Sequence, residues 1–146
     1  MEFTWKDKSN YFKGLLLLIG KDFIISPEER QLLTSVGKKL GFAKSFIEDS
    51  INNLLDNKFI IDEPPEFGNE IIAKSFIKDG ILLAMSDNEI HPSELEWLKE
   101  VVNNNNISSD WFNNELKHII ATEDKSKLDE HLQLNKLLED NLLNVK

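Results

Sequence analysis

The sequence predicts an all-α fold, and three observations carry that prediction. Apolar residues recur every three to four positions along most of the chain, and no stretch sustains the alternation of a half-buried strand. Helix-start punctuation appears twice in one form, as Ser26-Pro27-Glu28-Glu29 and His91-Pro92-Ser93-Glu94. The chain also repeats itself. Moved by 65 positions without a gap, Lys13, Leu17, Leu18, Asp22, Ile25, Pro27, Glu29, Leu33 and Val36 fall on Lys78, Leu82, Leu83, Asp87, Ile90, Pro92, Glu94, Leu98 and Val101. Identity at a fixed period marks a duplicated supersecondary unit.

The elements follow in order. A first helix is expected over residues 8 to 20, with Tyr11, Phe12, Leu15, Leu16, Leu18 and Ile19 at helical spacing. In the second, Ser26 caps, Pro27 suits the first helical position, and Glu29 stands where a capping box takes its acid. Leu32, Leu33, Val36 and Leu40 point inward along it, and Gly41 is placed to end it. A third helix is expected from Ala43 to Asp56, burying Phe46, Ile47, Ile51, Leu54 and Leu55.

Pro64, Pro65 and Gly68 then mark a linker inside one domain, because either half alone is small for a core of its own. The second copy replays the plan. A helix is expected from Glu70 to Met85, a turn from Asp87 to His91, and a helix from Pro92 to Val102. The run Asn103 to Asn106 makes the exit, and another helix begins near Ser108 with Trp111, Phe112, Leu116 and Ile119. A last helix, from about Ser126 to Leu143, carries Leu128, Leu132, Leu138 and Leu142 along one side. It has no counterpart in the repeat and is expected to pack across the two halves. Residues 1–146 are thus read as one domain of about seven helices, with halves at about 10–56 and 75–121 and a closing helix at about 126–143.

Composition narrows the function classes. The chain is 40% hydrophobic with nine Phe and three Trp, enough for a core without covalent staples. Its net charge of −9, with basic residues scattered singly, repels phosphate backbones and argues against nucleic acid. An acidic balance instead suits cation binding, a basic partner or solubility. The absence of cysteine removes disulfides and thiolate metal sites and fits a reducing compartment. The apolar run Leu15 to Ile19 is far below the roughly 20 residues of a membrane helix, so no membrane insertion is expected and the cytoplasm is the default location.

The duplicated unit carries an acidic pair in each copy, Asp22 with Glu29 and Asp87 with Glu94. In the second copy, Asp87-Asn88-Glu89-Ile90-His91-Pro92-Ser93-Glu94 has the order of the back half of an EF-hand calcium loop. An Asp closing one helix and a Glu in the first turn of the next can converge on one hard cation. The front half of such a loop is missing. Its first and third ligand positions would fall on Leu18 and Gly20, and on Leu83 and Met85, none of which offers a side-chain oxygen.

Two copies of helix, Asp-x-x-Ile-[Ser/His]-Pro-x-Glu, helix resemble the TerB-like family over roughly residues 10 to 120. That family includes tellurite-resistance TerB proteins and is related to the N-terminal domain of a membrane-anchored DnaJ-type co-chaperone. Its members typically read Ala-Asp-Gly-x-Ile-x-x-x-Glu, are all-helical and pseudo-twofold, and carry an acidic surface associated with divalent cations. The resemblance implies a non-catalytic binding or adaptor role in a stress or tellurite-resistance response, with Asp22, Glu29, Asp87 and Glu94 as the matching acids. Glu89 and His91 enrich the second site. The sequence departs from the pattern at Lys21, whose ammonium stands beside Asp22, and at Phe23 and Asn88 in place of the turn glycines.

Several readings follow. In the first, Asp22, Glu29, Asp87, Glu89 and Glu94 bind Ca2+ or Mg2+, because the ligands are hard oxygens. In a more economical one, Glu29 and Glu94 cap helices and Asp22 and Asp87 hold turns, with no metal needed. A metal-independent protein-interaction module using its acidic face is the alternative function. A di-metal carboxylate enzyme is a third class, resting on the Glu-x-x-His spacing of Glu115 and His118. The first half has Ser50 and Asn53 at those places, so a solvated helix face explains the pair more simply. No nucleophile elbow, phosphate-cradling loop or His-Glu-x-x-His appears, and no enzyme activity is expected.

Overall fold

The computed structural model describes residues 2–22, 25–56, 63–86, 90–121 and 128–143, and every described regular element is helical. The chain is all-α, as its periodicity requires. In order come α1 (Trp5–Ile19), a 3-10 turn (Gly20–Asp22), α2 (Pro27–Lys39), α3 (Lys44–Asp56), α4 (Glu70–Ala84), α5 (Pro92–Asn104), α6 (Ser109–Ala121), α7 (Leu128–His131) and α8 (Gln133–Leu143). Adding 65 to the bounds of α1, α2 and α3 returns the bounds of α4, α5 and α6.

Local chemistry places most of these ends. α1 starts three residues before the expected position because the Thr4 hydroxyl accepts from Asp7 N at 3.1 Å and caps it. Asn69 does the same for α4, accepting from Ile72 N at 2.9 Å. Gly41, at φ 96°, supplies the left-handed residue that ends α2. Within the Asn run, α5 continues to Asn104, and Asn106 takes a left-handed φ of 57° just beyond it.

α1 and α4 lie against each other at the centre of the molecule. Tyr11 and Phe76, which lie 65 positions apart, meet edge to face with centroids 5.3 Å apart. Gly14 is where the Phe76 ring approaches the α1 backbone, and a Cβ there would stand 2.6 Å from it. The linker is tied down on both sides. The Asn105 amide donates to Pro65 O at 2.9 Å and its carbonyl accepts from Phe67 N at 3.0 Å. Gly68 N donates to Asp7 Oδ1 at 3.0 Å.

Two expectations are corrected. Phe46 is not part of the core. It is 50% exposed, because Ile47 takes the inward place and packs into the gap left by Gly37. The C-terminal segment is not one helix either. It breaks at Leu132 into α7 and α8, since the amides of Gln133 and Leu134 bond to a side chain of α4 instead of continuing the α7 ladder. α7 touches α2 and α8 lies along α4, so the segment does reach both halves. The expected burial of Leu54, Leu55, Leu128 and Leu142 falls on side chains outside the described set.

Candidate functional site

The paired acids are held by short-range geometry. Ser26 Oγ accepts from Glu29 N at 3.1 Å, and Glu29 Oε1 accepts from Ser26 N at 2.9 Å, a reciprocal capping box. At the head of α5, Glu94 Oε1 accepts from His91 N at 3.0 Å. Both glutamates are buried, at 3% and 1% exposure. Asp22 ends the 3-10 turn, with its side chain outside the described set, and Asp87 and Glu89 lie outside the described residues. The structure therefore fixes Glu29 and Glu94 as cap residues on separate helices. Among the described residues, no group of three or more His, Asp or Glu lies together in a way that could hold a metal. The Lys21 ammonium lies over the Trp97 ring, 5.8 Å from its centroid. Glu115 stands beside Lys78, with Oε2 3.9 Å from Nζ.

The caps set an expectation. Glu29→Ala and Glu94→Ala should each cost about 1 kcal/mol in denaturant melts, and Glu94→Gln less, because the amide oxygen still accepts. Those losses should be the same with chelator and with millimolar calcium or magnesium. A cation-dependent rise confined to the wild type would instead make the acidic turns a metal site.

The most heavily engaged acid is one that sequence reasoning missed. Asp79, in the middle of α4, is 0% exposed. Its Oδ2 accepts from the Tyr11 hydroxyl at 2.5 Å and from Leu134 N at 3.0 Å, and its Oδ1 accepts from Gln133 N at 2.6 Å. It thus caps α8 from another helix and ties α1, α4 and α8 at one point. Burial pushes its carboxyl up to about 7, against the Tyr11 hydroxyl, the two amides and the charge of Lys39, which all pull it down. Burial and the neighbouring Asp79 hold the Tyr11 hydroxyl well above its usual value. A signal was available, since position 79 shares a helical face with Ile72, Phe76 and Leu83. With every partner structural and no exposed surface, Asp79 is closed to substrate.

An accessible concave surface lies elsewhere, between α1 and α3. A groove of about 280 Å³ is lined by Ser9, Phe12, Lys13, Leu16, Phe42 and Phe46, among others. Phe42 stacks at a tilt on Phe12, Phe46 and Trp5, with centroids 5.6, 5.3 and 6.0 Å away. Trp5, at the end of this row, is 64% exposed. A second, more polar cleft of about 460 Å³ runs between α1 and residues 63–66 and shares Lys13 with the groove.

No match emerges from comparison of the chain with protein-family models, with curated proteins or with solved structures. No helix among the described residues is long and apolar enough to cross a membrane.

Proposed function

We propose that this chain is a non-catalytic helical binding domain, an adaptor that engages a protein partner through the groove between α1 and α3. The observation that carries the reading is that Trp5 and Phe46, at the two ends of this aromatic row, are left in water. Large apolar side chains exposed along one row cost free energy in the isolated protein and are a common mark of an interaction surface. The reading keeps the binding-module role implied by the TerB-like resemblance, including a place in a stress or tellurite-resistance response. It moves the contact from the acidic turns to an aromatic face. The turn glutamates support this shift, because their cap hydrogen bonds give them a structural role without a cation.

Selection of a random-peptide display library against the purified chain tests the proposal. Recovered peptides should converge on one pattern, compete with one another, lose binding to Phe46→Ser and retain it for Lys99→Ala. Lys99 is an exposed residue of α5 and does not line the groove. Peptides that fail to converge, or that ignore Phe46→Ser, would remove the reading.

A further inference from the structure

We propose that the groove between α1 and α3 receives an acidic amphipathic helix of a partner protein, one carboxylate of which pairs with Lys13. This deepens the interaction-module reading and rests on it. The argument is the chain's own second half. Positions 65 apart set Lys13 against Lys78, Ser9 against Lys74, Phe46 against Trp111 and Ser50 against Glu115.

In the α4–α6 counterpart the equivalent side chains are engaged with one another. Lys78 Nζ stands 3.9 Å from Glu115 Oε2, and the Lys74 ammonium lies 5.1 Å from the Trp111 ring centroid, with Trp111 half-buried. Between α1 and α3 neither pairing has an equivalent among the described residues. Serine replaces both Lys74 and Glu115, Phe46 is half in solvent, and Lys13 is exposed and makes no ion pair among the described residues.

The surrounding charge is mixed. α1 contributes Lys6, Lys8 and Lys13, while its acid, Asp7, is buried and bonded to Thr4 and Gly68. Opposite them α3 carries exposed Glu48 and Asp49, and Glu63 and Glu66 line the cleft beside Lys6 and Lys13, so the positive charge at the groove itself is that of Lys13. Its complement is therefore a carboxylate held one helical turn from an apolar anchor. An amphipathic helix presents such a pair at i and i+4. The anchor enters among Phe12, Leu16, Phe42 and Phe46, and the carboxylate takes the place that Glu115 fills in the other half.

The experiment uses two labelled synthetic helices that share a Leu/Phe face, one flanked by Glu and one by Lys, read by fluorescence anisotropy against the full chain. The Glu-flanked helix should bind the wild type about tenfold more tightly than its Lys-flanked counterpart, and added salt should narrow the difference. Lys13→Glu should reverse the preference. Ser50→Glu, which copies the Lys78–Glu115 pair by giving Lys13 an internal partner, should weaken the Glu-flanked helix by about tenfold. Both positions are open to solvent, and melting curves establish that the variants remain folded.

Equal binding of the two helices, or a Lys13→Glu variant that keeps the wild-type order, overturns the acidic-partner proposal. Binding of the Lys-flanked helix alone, lost in Phe46→Ser, also overturns it while leaving the interaction-module reading in place. Binding of neither helix overturns it too, and the library selection then decides the broader reading separately. Self-association abolished by Phe46→Ser makes the occupant a second copy of this chain, which again overturns it.

Discussion

Asp79→Ala is expected to lower stability by about 2–4 kcal/mol and to release the start of α8. The substitution leaves the buried Tyr11 hydroxyl without its acceptor and removes the oxygens that bond Gln133 N and Leu134 N. Orphaned buried donors cost far more than an average hydrogen bond contributes. Thermal melts give the size of the loss. Hydrogen exchange gives its location, because the amides of residues 133 and 134 should lose protection before those of α1 or α4. Unchanged exchange at those two amides would show that Asp79 does not hold α8.

The same carboxylate sets a pH dependence of definite sign. Its folded pKa, about 7, lies above the ordinary aspartate value of 3.8, so the folded state takes up the proton first as pH falls. The cost of burying the ionised form is fully present above pH 7 and is relieved as pH falls from about 7 toward about 4. Wild-type stability relative to Asp79→Asn should therefore rise across that window on acidification, by a few kcal/mol. Tyr11→Phe removes a hydrogen bond that favours the ionised form, so its midpoint should move upward. Urea melts at several pH values between about 4 and 8 supply the check, and a flat or falling difference contradicts the assignment.

Gly14→Ala is the second large expectation. Alanine is favoured over glycine in a helix by about 1 kcal/mol, yet here its methyl would lie 2.6 Å from Phe76 Cζ and 3.0 Å from Pro65 Cγ. The Phe76 ring is 0% exposed and has little room to move, with Tyr11, Phe67 and Trp97 rings around it at centroid distances of 5.3, 5.1 and 6.2 Å. Overpacking of this kind should outweigh propensity and leave a net loss of about 2 kcal/mol. Phe76→Leu opens a gap and is destabilising alone, but it makes room for the methyl. The double variant should therefore be better than the sum of the single losses by about 1 kcal/mol or more in a double-mutant cycle. Additive losses would mean that the ring is not the obstacle.

What could be read from the sequence was what depends on neighbours within a turn or two. Ser26 and Glu29 announce a capping box that the structure contains, because donor and acceptor are three residues apart. The all-α class follows from periodicity for the same reason, and the 65-residue offset seen in the sequence recurs in the helix bounds. Phe46 was misplaced because it and Ile47 are both apolar, and periodicity alone does not say which of two adjacent residues faces the centre. The break at Leu132 has no local signal at all. It depends on Asp79, whose partners Tyr11, Gln133 and Leu134 lie 68, 54 and 55 positions away in the chain. The groove was equally hidden. Ser50 and Asn53 read as the absence of a second Glu-x-x-His helix, and only the packing of α3 on α1 shows that they border a groove where Lys13 and Phe46 are open to solvent. By itself the sequence determined the helices and their caps, whose hydrogen bonds close within four residues. The tertiary structure alone decided which acid is buried, where the last helix starts and which face stays open, because each of these depends on side chains brought together from distant parts of the chain.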